Sequence, residues 1–148
     1  MDENRNRQRE LVSAEEGNGI RQAVIAWLRT CPMTPRRAEY DFLGKESGFV
    51  IATIQSAFKL NKYIYGGYKA QYQFAIVYRT IAANAQERIA ADNLLDSIGG
   101  WMEENIPAPP AGINSWTINR DTCAAFSVPY DNGAEDHTIQ MTLTYEVI

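Results

Sequence analysis

One histidine, two cysteines and six prolines among 148 residues leave little material for several common chemistries. Cys31 and Cys123 stand far apart among unrelated neighbours, so neither a disulfide framework nor a metal-ligand spacing is present. Both read as reduced, half-buried cysteines. Cys31, followed by Pro32, has no base nearby in sequence to make it a nucleophile. No apolar run approaches the length of a membrane span. The first nineteen residues lack the hydrophobic centre of a secretory signal, so cytoplasmic synthesis is the expectation. His137, in Gly133-Ala134-Glu135-Asp136-His137, has acidic neighbours but no second histidine. It reads as part of a solvated turn, not as a metal ligand or acid–base group.

Basic charge is scarce in one half of the chain. Residues 1–78 hold 11 Lys/Arg against 8 Asp/Glu, while residues 79–148 hold 3 against 10, and the total is −4. Two readings stay open: two solvated surfaces, or opposite sides of a subunit that attract one another between copies. The acidic balance argues against a dedicated nucleic-acid binder, whose affinity depends on neutralising phosphates. The small basic groups Arg36-Arg37 and Lys59, Lys62 and Lys69 read as surface charge. Gly17-Asn18-Gly19 lacks the preceding strand and the lysine of a phosphate-binding turn.

Tyrosine, by contrast, is concentrated. Five of eight fall in Lys59–Thr80, at Tyr63, Tyr65, Tyr68, Tyr72 and Tyr78, around Gly66-Gly67. A Gly-Gly pair between strand-forming runs predicts a hairpin. A two-residue loop would set Tyr65 opposite Tyr68 and Tyr63 opposite Ala70. Alternation then places Tyr63, Tyr65, Tyr68, Tyr72, Phe74, Ile76 and Tyr78 on one face. Tyrosines in such a row serve a core or a subunit contact more readily than base stacking. The base of the hairpin is expected to be core, and its tip (Tyr63, Tyr65, Gly66, Gly67, Tyr68, Lys69) an arm against a neighbouring subunit.

Elsewhere the periodicity is informative. Residues 1–18 are polar and read as a charged, flexible arm with a possible helical turn around Arg9 to Glu16. Ile20, Ala23, Val24, Trp27 and Leu28 form one helical stripe, capped by Asn18 or Gly19 and ended by Pro32. Glu39–Leu43 and Phe49–Gln55 read as strands, separated by Gly44 to Gly48. Asn84 to Asn105 is a second amphipathic helix, with Asn84 and Glu87 as a capping pair. Its stripe is Ala91, Leu94, Leu95, Ile98, Trp101, Met102 and Ile106, and Gly99-Gly100 marks either a kink or close packing. Pro107–Gly112 is a stiff linker, Ile113–Asn119 and Ala124–Val128 read as strands, and Asp131-Asn132-Gly133 as a loop. Thr138–Ile148 alternates cleanly as a half-buried antiparallel strand. The fold class is α+β: an antiparallel or mixed sheet of about five strands, with a long hairpin and two amphipathic helices on one face.

No nucleophile–base pair, cofactor motif or metal set emerges, so no cofactor and no enzymatic activity are expected. A small-molecule-binding or enzymatic domain remains an alternative, for which Arg36, Glu39, Asp41 and His137 would have to converge on a pocket.

Four segments carry a family resemblance: Ile20–Pro32, Tyr40–Gly44, Lys62–Gly67 leading into Gln71–Ala75, and Ile139–Tyr145. Together they resemble the small phage and prophage minor capsid proteins of head–tail joining clusters, similar to siphovirus tail terminator (tail completion) proteins. The resemblance implies one domain over 19–148 and a homo-oligomeric ring, a hexamer, capping the tail tube. Such a ring stops tail polymerisation and meets a head-completion or connector protein, with DNA only passing through its lumen. It implies residence in the virion at the head–tail junction, with no membrane partner. A head-completion or connector role is the neighbouring alternative. Replacing Tyr65 and Tyr68 by serine is expected to weaken assembly and leave the monomer folded.

Overall fold

The computed structural model describes residues 10–33, 39–40, 48–81, 84–130 and 133–148. Eight elements follow in order: α1 (Ala14–Arg29), β1 (Glu39–Tyr40), β2 (Gly48–Lys62), β3 (Tyr68–Ile81), α2 (Ala85–Glu104), β4 (Ser115–Arg120), β5 (Ala125–Pro129) and β6 (Ala134–Val147). The chain is α+β, with a six-stranded sheet ordered β1-β2-β3-β6-β4 and β5 beside the first part of β6. All pairings are antiparallel except β1 with β2. Expectations for Pro35, Arg36-Arg37, Asp41 to Ser47 and Asp131-Asn132 lie outside the described residues, as do residues 1–9.

Both helices cover the same sheet face. Alternation along β6 buries Ile139, Met141, Leu143 and Tyr145, and on β3 it buries Ala70, Tyr72, Phe74 and Ile76. In register, Tyr72 faces Leu143, Phe74 faces Met141 and Ile76 faces Ile139. Helix α1 brings Ile20, Val24, Trp27 and Leu28 against this layer, and α2 adds Leu95, Ile98 and Met102. Each of those side chains contributes about 1.5–3 kcal/mol before entropy. The expected stripes hold, except that Ile106 lies past the end of α2, 39 % exposed.

Among the described residues no helix covers the opposite face. Across it run polar rows: Gln73, Thr142 and Asn119 in register on β3, β6 and β4, and Gln71, Thr144 and Thr117 beside them. Within α2, a Cβ at Gly99 would come 2.8 Å from Ile139 Cδ1, whereas one at Gly100 would meet open space. Of the two readings for that pair, close packing applies to Gly99.

Helix α1 differs from expectation at its start. It begins at Ala14 and is capped by Ser13, whose Oγ accepts from Glu16 N at 3.1 Å. The cap is therefore neither Asn18 nor Gly19, and the boundary drawn at 18/19 falls inside the helix. The S-x-x-E spacing at Ser13 to Glu16 announces such a start. Upstream of it, Lys59 N donates to Glu10 O (2.8 Å) and Val12 N to Ala57 O (3.1 Å), so residues 10–12 lie along β2.

Candidate assembly surface

The hairpin closes with five residues, Tyr63 to Gly67, not two. Lys62 pairs with Tyr68 and Lys59 with Ala70, so Tyr65 does not oppose Tyr68, nor Tyr63 Ala70. Register shifts between Thr53 and Gln55, Gln55 and Phe58, and Lys59 and Asn61 consume the extra length of β2. Within the loop, Gly66 N donates to Tyr63 O (3.2 Å) and Tyr63 N to Gly67 O (3.1 Å). Both Gly66 and Gly67 take positive φ, 91° and 79°, a region costly for any residue with a Cβ.

The expected interface residues divide sharply. Tyr65 is 74 % exposed, and its neighbour Ile64 is fully exposed at 106 %. Tyr63 stacks on Tyr65 at 5.2 Å between ring centroids and donates its hydroxyl to Glu146 Oε1 at 3.1 Å. Tyr63 thereby braces the tip against β6. Lys69 lies between Asn61 and Glu146 in register. Tyr68 belongs to the fold: its hydroxyl donates to Glu16 Oε1 and its ring lies 4.5 Å from Lys59 Nζ. The tip that stands free is Ile64-Tyr65, one residue of which sequence reasoning passed over.

Glu16 ties three elements together. Besides Tyr68 on β3, it accepts from the hydroxyl of Tyr145 on β6 at 2.7 Å. Burial, and then the hydrogen bond to Glu16, push both tyrosines above the ordinary tyrosine value of about 10. Because the folded pKa is raised, this stabilisation is fully present below pH of about 10 and fades as pH rises toward the folded value. The slope reaches about 1.4 kcal/mol per pH unit for Tyr145, which is 1 % exposed. Urea unfolding at pH 9, 10 and 11 should show wild type losing about 1 kcal/mol more above pH 10 than Tyr145→Phe. Equal losses would remove Tyr145 from the account.

Charge is also organised at the other end of β6, and there the expectation for His137 is overturned. His137 is a strand residue with 0 % exposure, not part of a solvated turn. Its Nδ1 lies 2.7 Å from Asp92 Oδ1 on α2, and its Nε2 2.7 Å from Glu135 Oε2. Each ring nitrogen thus faces a carboxylate oxygen within hydrogen-bond distance, one on α2 and one on β6. Arg88 Nε donates to Glu135 Oε1 at 3.0 Å, completing a network between α2 and β6. Strand alternation turns Asp136 to the other face. There Arg79 donates to both its carboxylate oxygens, at 2.8 and 3.1 Å, and Tyr130 donates to Oδ2 at 2.7 Å. The Asp136 carboxylate holds Arg79 and Tyr130 above their ordinary pKa values.

These networks tie α2 and β3 to β6. His137 is enclosed, with both ring nitrogens engaged by carboxylates. Arg36 and Asp41, its supposed companions, lie outside the described residues, as does the side chain of Glu39. Cys31 is buried and Cys123 exposed, and neither is in a disulfide. Among the described residues no cluster of three His, Cys, Asp or Glu is placed to hold a metal ion. No helix there is long and apolar enough to cross a membrane. No protein-family model matches the chain, and no curated protein matches it.

Proposed function

We propose that the chain is the subunit of a ring, a hexamer, that caps the tail tube of a siphovirus-type phage, stops its polymerisation and joins it to the head connector. The observation that carries this reading is the braced hairpin tip, which presents Ile64 and Tyr65 bare at the end of long paired strands. An apolar knob held rigidly away from the core suits a contact between molecules. A knob whose receptor lies elsewhere on the surface makes a head-to-tail contact, the kind that closes into rings. The residues that resemble tail terminators include this hairpin. The net charge of −4 suits a lumen through which DNA passes without adhering.

Light scattering with negative-stain imaging tests the reading directly. Concentration-dependent hexameric rings are expected, and they should cap tail tubes when tube protein is added. Monomers alone, at high protein concentration and with tubes present, would sink it.

A further inference from the structure

Between the first two turns of α1 and β2 lies a cavity of about 250 Å³, lined by Val12, Ser13, Gly17, Arg21, Ser56 and Ala57 among others. Among the described residues Arg21 is the one charged group in that lining. Its Nε is buried and has no hydrogen-bond partner. Its Nη2 reaches only Ser56 Oγ, at 3.4 Å, beyond the usual length of such a bond. Arg21 forms no ion pair among the described residues. The acidic residues nearest in sequence are engaged or lie elsewhere. Glu10 pairs with Lys59 and Lys62, Glu16 accepts from Tyr68 and Tyr145, and Glu15 lines a different cavity. Arg79 shows what the same edge of a guanidinium takes when it is paired: its Nε and Nη2 donate to the two carboxylate oxygens of Asp136, at 2.8 and 3.1 Å. The corresponding nitrogens of Arg21 share one distant hydroxyl.

We propose that Arg21 binds the carboxylate of a small aliphatic acid in this cavity, a site independent of the ring reading above. A buried donor without an acceptor costs stability, and an incoming carboxylate offsets that cost with two charge-assisted hydrogen bonds. The Ser56 contact is too long to fix the guanidinium, so the partly exposed side chain can turn this edge toward the ligand. The planar fork of an arginine matches two coplanar oxygens. Val12 and Ala57 supply hydrocarbon walls for a short chain, while Gly17 projects no side chain into the space. One cation with no acidic group beside it in the lining suits a monoanion. A phosphate dianion would bring a second charge that nothing in the lining matches.

Nuclear magnetic resonance of the isotope-labelled full-length chain reads the arginine Nε–H groups directly. The Arg21 signal is the one lost in Arg21→Lys. On titration with sodium butyrate at constant ionic strength it should shift and saturate with a dissociation constant of about 1 mM, the order that a ligand this small reaches. n-Butanol should leave the signal in place, and phosphate should bind at least tenfold more weakly than butyrate. Calorimetry should show Arg21→Gln and Arg21→Lys binding butyrate at least tenfold more weakly than wild type, with circular dichroism melts confirming that each keeps the fold. An Arg21 signal that does not move at a hundred times the expected constant would overturn the site. So would an equal response to butanol, or variants that bind butyrate as wild type does. Phosphate binding as tightly as butyrate would overturn the assignment to a carboxylate.

Discussion

His137→Leu is expected to destabilise the fold by about 3 kcal/mol, the cost of leaving a buried carboxylate without one of its hydrogen-bond partners. The reason lies in Glu135, only 3 % exposed, which the imidazole faces at 2.7 Å. Arg88 alone then has to compensate it, from a side chain that is 57 % exposed. Asp92, about a third exposed, rehydrates more cheaply. Chemical denaturation should show the loss directly, and the melting temperature should fall by roughly 10 °C at this chain length. The double variant Glu135→Leu/His137→Leu should be more stable than His137→Leu alone, because apolar replacement of a whole buried pair is often close to neutral. A double variant as unstable as the sum of the two singles would mean that the carboxylate and the ring are not coupled.

Gly67→Ala is the second large effect, and Gly66→Ala is its control. At both positions φ is positive, which costs an alanine about 1–2 kcal/mol. Beyond that, the two sites differ. A Cβ on Gly66 meets open space, but one on Gly67 runs into the Val147 carbonyl oxygen and comes within 2.8 Å of Ile148 Cα. Both are backbone atoms, so relief requires parting β3 from the end of β6, adding about 1–3 kcal/mol. Urea titration should therefore rank the losses at about 2–5 kcal/mol for Gly67→Ala and 1–2 for Gly66→Ala. Equal midpoints for the two variants would contradict the close approach.

What the sequence discloses and what it conceals follow the range of each interaction. The alternation from Thr138 onward, the Trp27 stripe and the Asn84–Glu87 cap are local signals, and each reappears in the structure; Asn84 Oδ1 accepts from Glu87 N at 2.9 Å. The hairpin was visible as a hairpin, but its loop was not. The length of β2 is absorbed by register shifts that leave no mark in composition. His137 was misplaced because three polar residues in a row resemble a loop, whereas here they alternate between two charged networks on opposite faces. Asp92, which anchors one of them, lies on α2, and nothing in the spacing connects it to His137. Glu16 was hidden for a different reason: a charged segment suggested a loose arm, and its two tyrosine partners sit on distant strands. Of the surface candidates, Tyr65 was legible as an exposed aromatic. Ile64 is left bare by the five-residue loop, which depends on folded geometry.

The position of β6 has a further consequence, in the order of synthesis. Of the eight elements it is translated last, yet it lies inside the sheet, flanked by β3 on one side and by β4 and β5 on the other. A growing chain that has made everything up to Tyr130 holds a hairpin and two helices around an empty slot. Pairings between sequence-distant strands form slowly, and the waiting edge of β3 is open to the wrong strand in the meantime. For β4, whose described partner in the sheet is β6 alone, commitment to the fold comes only with the final strand.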